Sequence, residues 1–257
     1  MDALIGYSGY VGSSLLRQRD FDARFRSSNA GELRGAHFDL VVCAAAPAQK
    51  WIANRDPVAD QRNIEALVGH LGAMRCERFV LVSTVDVFAS AVGVTEDSPV
   101  EEGGLHAYGL HRRQLELAVK ALFPSCLVVR LPGLVGPGLR KNVIFDFLND
   151  NNLSAVDSRA VFQFYPMVNL WSDMEVALRS GISLLHLTAE PLSVAEVAQE
   201  GFGRRFDQAL STPPARYDLR SVHARLFGAA GPYQYSRRES LLAIRAYAQS
   251  EPRAVPR

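Results

Sequence analysis

Apolar residues along the chain gather into short, nearly continuous runs separated by stretches with helical spacing. Ala3-Leu4-Ile5, Phe38-Asp39-Leu40-Val41-Val42-Cys43, Arg78-Phe79-Val80-Leu81-Val82-Ser83 and Cys126-Leu127-Val128-Val129-Arg130 are such runs. They fit parallel strands covered on both faces. Between them, Val11 to Arg17 turns Leu15 and Leu16 inward, Pro57 to Met74 repeats Ile64, Leu67, Val68 and Leu71, and Leu110 to Leu122 reads as a helix. A further short strand is expected over Ala23 to Arg26. This alternation predicts an α/β fold with a doubly wound parallel sheet.

Beyond Leu131 the pattern changes, because Pro132-Gly133-Leu134-Val135-Gly136-Pro137-Gly138 is a turn-rich bridge and the later apolar segments are short. Asp173 to Gly181, Ser193 to Gly201 and Arg238 to Gln249 read as helices, with a short strand over Leu184 to Leu187. The expected division is a sheet domain over 1–131, a small C-terminal α+β substrate lobe over 132–250 interleaved with it, and a flexible tail over 251–257.

Composition narrows the function classes. With 28 basic and 27 acidic residues, the formal charge of +1 offers no field for nucleic acid or anionic lipid. No apolar run approaches the roughly 20 residues of a spanning helix. No secretory leader pattern precedes the first strand, so a cytoplasmic protein is expected. The three cysteines, Cys43, Cys76 and Cys126, show no metal-ligand or disulfide spacing and read as buried thiols, and no metal site is expected.

The loop Gly6-Tyr7-Ser8-Gly9-Tyr10-Val11-Gly12 lies between the first strand and the first helix. In a Rossmann-type dinucleotide site, the first glycine permits the tight turn and the second lets the backbone approach the pyrophosphate. The third allows close packing of helix on sheet. A nicotinamide dinucleotide is the expected cofactor. Its identity turns on the end of the second strand, where an acid would hold the ribose hydroxyls of NAD and a base the extra phosphate of NADP. Arg24, Phe25, Arg26, Ser27 and Ser28 include no acid, so Arg26 and Ser27 favour NADP(H), with NAD(H) left open. Ala44, Ala45 and Ala46 after the third strand, and Leu131, are further expected cofactor contacts.

With these residues in place, the chain resembles the extended short-chain dehydrogenase/reductases, the NAD-dependent epimerase/dehydratase group. Ser83-Thr84-Val85-Asp86-Val87-Phe88 is similar to that family's serine/threonine strand end, and Tyr108-Gly109-Leu110-His111-Arg112 to its tyrosine helix. Arg130 followed by Gly136-Pro137-Gly138 is similar to the segment leading into its substrate lobe. The resemblance implies that Tyr108 exchanges a proton with a substrate oxygen that Thr84 orients. The family's lysine four residues after the tyrosine is replaced by Arg112, which supplies charge and ribose hydrogen bonds but does not deprotonate. Tyr108 and Arg112 are accordingly also expected cofactor contacts. Asp86, Arg140 and Asn142 are expected substrate contacts, the last two at a nucleotide diphosphate.

The resulting expectation is an NADP(H)-dependent oxidoreductase or epimerase acting on a keto or hydroxyl group of a nucleotide-linked sugar. Its partner would be a small molecule, with a homodimer left open. The alternative is a non-catalytic NAD(P)-binding sensor that has lost the active-site lysine. His111 is a weaker candidate for the missing proton carrier. Phe162-Gln163-Phe164-Tyr165 and Trp171 read either as pocket lining or as core.

Overall fold

The structure, a computed structural model, describes residues 1–253. The chain runs β1 (Asp2–Ile5), α1 (Tyr10–Leu16), β2 (Ala23–Phe25), β3 (His37–Cys43), α2 (Lys50–Arg55), α3 (Pro57–Leu71) and β4 (Arg75–Thr84). Next come β5 (Val92–Val94), α4 (Ala107–Leu122), β6 (Cys126–Leu131), β7 (Gly133–Val135), α5 (Val143–Asn149), β8 (Val161–Phe162) and β9 (Phe164–Pro166). The last elements are α6 (Leu170–Arg179), β10 (Leu184–His186), β11 (Leu192–Ser193), α7 (Val194–Glu196), β12 (Asp218–Leu219) and α8 (Arg237–Ser250). Among the described residues no helix is long and apolar enough to cross a membrane.

Six strands form one parallel sheet in the order β2-β1-β3-β4-β6-β10. This is the expected Rossmann-type doubly wound architecture. Val41, Val42 and Cys43 of β3 and Phe79, Val80 and Leu81 of β4 are buried because helices cover both faces. The chain passes from β1 to β2 on one side and returns to β3 on the other, which puts the topological switch point between β1 and β3. The polar stretch after β2 builds no further strand. It closes in a single 3-10 turn, Ala30–Leu33, anchored by buried Leu33.

The chain divides into two compact units. The first comprises Met1–Ser90, Asp97–Leu131 and Leu170–His186; the second comprises Ala91–Glu96, Pro132–Asn169 and the chain from Leu187 onward. This differs from the expected division at residue 131, since α6 and β10 belong with the sheet. Leu184, Leu185 and His186 pair in register with Val128, Val129 and Arg130.

The second unit is built on three two-stranded pairings, β7 with β9, β8 with β11 and β5 with β12. Gln163, buried between them, donates to the carbonyls of Ala189 and Leu219 and accepts from the Leu219 amide at 2.6–2.7 Å. Helix α8 starts at a Ser236–Glu239 capping box, and Ser240 Oγ donates to the Phe164 carbonyl. Phe164 and Tyr165 are fully buried, so this aromatic run is core. Trp171, in the first unit, packs edge-on against Phe21 with Arg19 over its ring.

Helices α2 and α5 are absent from the expected pattern, and Ser193 to Gly201 is a capped turn of helix that passes into a π turn at Val197–Gly201. Of the expected tail, Arg253 lies 3.9 Å from Asp150, and residues 254–257 fall outside the described residues. Cys43 is buried and Cys76 and Cys126 half-buried; burial pushes the three thiols up to about 11, 12 and 11, as expected of inert thiols.

Candidate active site

A parallel sheet brings the carboxyl ends of all its strands to one edge. Ile5 pairs with both Phe25 and Cys43, Cys43 with Leu81, and Thr84 with Leu131. The glycine loop, Arg26 to Ser28, Ala44 to Ala46, Thr84 to Asp86 and Leu131 are therefore aligned along that edge, where open α/β sheets bind their ligands.

The three glycines of the loop are not equivalent. Gly6 has φ +87°, and a Cβ there would sit 2.5 Å from the Ala44 carbonyl oxygen; a Cβ on Gly12 would collide with the Gly6 carbonyl. The fold itself needs both. A Cβ on Gly9 would meet only the Gly6 carbonyl, at an ordinary 3.5 Å. The protein leaves that position unhindered, which fits a backbone approached by pyrophosphate. Tyr7, Ser8, Tyr10 and Val11 are all at least partly exposed around it. At the end of β2, exposed Arg26 donates from Nε to Ser28 Oγ at 2.9 Å, and its guanidinium lies 6.0 Å from the ring centroid of Tyr7. Ser27 is exposed beside it.

Further along the edge, Tyr108 occupies the first turn of α4, which begins three residues earlier than its apolar pattern implies. The cap is a histidine: His106 Nδ1 accepts from the Gly109 amide at 3.0 Å. The Tyr108 amide, one of the donors a helix start leaves unpaired, is taken by Asn54 Oδ1 of α2 at 3.0 Å. Gly109 lets α4 approach the turn after β4, since a Cβ there would collide with the Asp86 carbonyl. Tyr108 is thereby held beside the strand-end hydroxyl of Thr84, which accepts from the Asp86 amide at 3.2 Å.

Burial pushes the Tyr108 phenol above its ordinary value. Arg112 pulls it back, Asp86 adds to the rise, and the Thr84 hydrogen bond and Lys50 pull it down again. Asp86 itself is paired with Lys50, whose Nζ lies 2.8 Å from Asp86 Oδ1.

Arg112 does not occupy the place expected of it. Its guanidinium is buried, gripping Asp60 of α3 through both terminal nitrogens and donating to the Pro47 carbonyl at 2.6 Å. It lies over the face of the Tyr108 ring, 4.1 Å from the centroid. Arg112 is thus a buried packing cation under Tyr108, and its terminal nitrogens are spent on protein groups rather than offered to a ribose. His111 is likewise committed, with Nδ1 2.7 Å from Asp60 Oδ2, and is no proton carrier for the site.

Below this layer, buried Glu116 of α4 pairs with Arg130 of β6 at 2.9 and 2.7 Å and accepts from Ser83 of β4 at 2.6 Å. His186 Nε2 of β10 lies 3.3 Å from Arg130. This network fixes α4 against three neighbouring strands.

Of the expected substrate contacts, Asp86 lies in the Tyr108 cluster, whereas Arg140 and Asn142 belong to the second unit. Arg140 is exposed on a turn. Asn142 is a structural cap: at φ +88° its Oδ1 accepts from the Ile144 amide and its Nδ2 donates to the Leu134 carbonyl, both at 2.9 Å. Its amide is thereby occupied in starting α5. Lys50, Asn54, Asp60 and His106 have no sequence motif of their own; the first three join the site through long-range contacts and His106 through its local cap.

No protein-family model matches the sequence, and neither does any curated protein. Solved structures do match in fold. RMD from Pseudomonas aeruginosa complexed with NADPH is 19% identical over 97% of this chain and 99% of that chain, with a TM-score of 0.71. The dTDP-4-dehydrorhamnose reductase from Yersinia enterocolitica is 14% identical over 96% and 98%, TM-score 0.71. A UDP-galactose 4-epimerase is 18% identical over 97% and 98%, TM-score 0.70. The likeness is one of fold over nearly the whole chain, and it agrees with the resemblance to the extended short-chain dehydrogenase/reductases carried by the glycine loop and the Thr84 and Tyr108 segments.

Proposed function

We propose that this chain is an NADP(H)-dependent oxidoreductase or epimerase of the extended short-chain type, acting on a keto or hydroxyl group of a nucleotide-linked sugar. The observation that carries the reading is the Tyr108–Thr84 hydroxyl pair, set on the same sheet edge as a glycine loop whose Gly9 is unhindered. Structural neighbours that act on sugar nucleotides, among them a reductase and an epimerase, support it.

The residues present fit a dinucleotide: Gly9 leaves room for the pyrophosphate, Ala44 to Ala46 present little bulk at the switch point, and Leu131 ends its strand beside Thr84. Arg26, with Nε held by Ser28, keeps its terminal nitrogens for a 2′-phosphate through charge-assisted bonds, assisted by the Ser27 hydroxyl. The neighbour bound to NADPH supports the same preference. When bound, the nicotinamide supplies or accepts hydride at the substrate carbon. Tyr108 donates its proton to the carbonyl oxygen in reduction and takes it back in oxidation, while the Thr84 hydroxyl orients that oxygen. Burial keeps the proton on Tyr108 at neutral pH, which suits the donor role. Asp86 is the substrate contact of this reading within the first unit.

A second reading, a non-catalytic NADP(H) sensor, is favoured by one observation, the commitment of the Arg112 charge to Asp60. NADPH absorbance followed with a panel of keto-sugar nucleotides separates the two. Consumption that falls roughly 100-fold or more in Tyr108→Phe, with NADPH affinity unchanged, supports the enzyme. Tight NADPH binding without turnover favours the sensor, and no NADPH binding overturns both.

A further inference from the structure

Arg112 is fixed beneath the Tyr108 ring and cannot exchange a proton, whereas a phenol that gives one up is helped by any cation near it. Four charged or titratable groups face Tyr108. Arg112, on its own helix, is committed to Asp60 of α3. His106, at the helix cap with its ring 6.2 Å from the phenol ring, has Nδ1 taken by Gly109, and burial together with Lys50 disfavours its charged form. Asp86 follows β4, and Lys50 comes from α2.

We propose that Lys50 is a positioning residue for Tyr108: clamped by Asp86, its ammonium is the partly exposed cation whose charge governs how readily Tyr108 releases and regains its proton. The inference rests on the proton role given to Tyr108 above.

Its neighbours place it there. Lys50 and Asn54 are four residues apart on α2 and so share one face of that helix, and Asn54 grips the Tyr108 amide at 3.0 Å. The same face carries the ammonium to Asp86, in the turn against which the start of α4 packs. Asp86, which holds Nζ at 2.8 Å, belongs to the turn whose amide bonds Thr84 and whose carbonyl Gly109 packs against. Lys50 also keeps 38% of its side chain exposed, whereas Arg112 keeps 2%. The ammonium thus touches both solvent and the Tyr108 cluster. Lys50 and Asp86 act on the phenol with opposite sign, the cation favouring the phenolate and the carboxylate opposing it.

The test is a titration of the intact protein carrying 13Cζ-labelled tyrosine, with the Tyr108 resonance assigned by its loss in Tyr108→Phe. Lys50→Met is expected to move the Tyr108 ionisation upward by roughly one pH unit, Lys50→Arg to return it toward wild type, and Asp86→Asn to move it downward. An unchanged Tyr108 in Lys50→Met, or no restoration in Lys50→Arg, overturns the proposal. If Lys50→Met does not fold, Lys50→Gln decides in its place: a rise supports the proposal, and a fall or no change overturns it. The titration needs no substrate, so a failure of turnover would overturn the enzyme reading and leave this result standing.

Discussion

The guanidinium of Arg112 lies 4.1 Å from the centroid of the Tyr108 ring, on the ring face, and takes its two-point contact with Asp60 instead of reaching the phenol oxygen. A planar fork and a flat π face suit one another there, and neither is matched by an ammonium. Arg112 Nε is buried without a hydrogen-bond partner, so the site tolerates one unmet donor to keep the fork in place.

Arg112→Lys is therefore expected to lower stability by about 1–3 kcal/mol, because a point charge on a shorter stem leaves part of the Asp60 carboxylate and the Pro47 carbonyl unmet. Urea denaturation checks the loss. No gain in activity is expected, and a variant both as stable as wild type and more active would show that this side chain acts at the phenol oxygen.

Acid should weaken the fold in a defined window. Burial raises the Asp60 and Glu116 carboxyls, but hydrogen bonds from Arg112 and His111 to the first, and from Arg130, Ser83 and Arg113 to the second, outweigh it. Both are held below their ordinary values of 3.8 and 4.5. A carboxylate depressed in the folded state contributes stability that is complete above its unfolded value and is lost as pH falls through the folded one. Unfolding free energy measured in urea should thus decline from about pH 4.5 downward, and Glu116→Gln should flatten that decline. A wild-type curve flat across this window would contradict the pairing.

The loop glycines separate fold from ligand. Gly9→Val is expected to fold normally and lose NADPH binding, since a Cβ there meets no serious obstacle in the protein and the side chain enters the space of the pyrophosphate. Gly12→Ala, by contrast, forces a Cβ against the Gly6 carbonyl and should cost about 1–3 kcal/mol of stability. Calorimetric NADPH binding beside thermal melts gives both readouts. Normal binding by Gly9→Val would remove the loop from the cofactor site.

Arg26→Asp should erase or reverse a preference for NADPH over NADH, removing a charge-assisted phosphate contact worth on the order of 1.5–3 kcal/mol. The two dissociation constants, measured on the unmodified protein and the variant, test it. Equal affinities in the unmodified protein would take Arg26 out of phosphate recognition.

The parallel sheet was legible in the chain because a strand covered on both faces must be apolar almost throughout, and β1, β3, β4 and β6 all declare themselves that way. The glycine loop was legible too, since the turn at Gly6 and the close packing at Gly12 admit few other residues. Tyr108 and Thr84 could be picked out through their family-like segments, although the start of α4 was hidden by a histidine cap.

Everything that depends on partners distant in the chain was decided by the tertiary structure alone. Helix α2 carries no apolar stripe, and Trp51 on it is 62% exposed, so its pattern announces neither a helix nor a role. Its importance comes from Lys50 meeting Asp86, 36 positions away, and Asn54 meeting Tyr108, 54 away. Arg112, four residues after the tyrosine, does bring its charge to the phenol as its position implies, but Asp60, 52 residues earlier, takes the hydrogen bonds expected at a ribose. Asn142 was read as a ligand contact, and its positive φ made it a cap. Burial leaves a periodic mark on the local sequence because every residue of an element faces either core or solvent. The direction of a charged side chain leaves none, because it is set by whichever opposite charge the fold delivers to it.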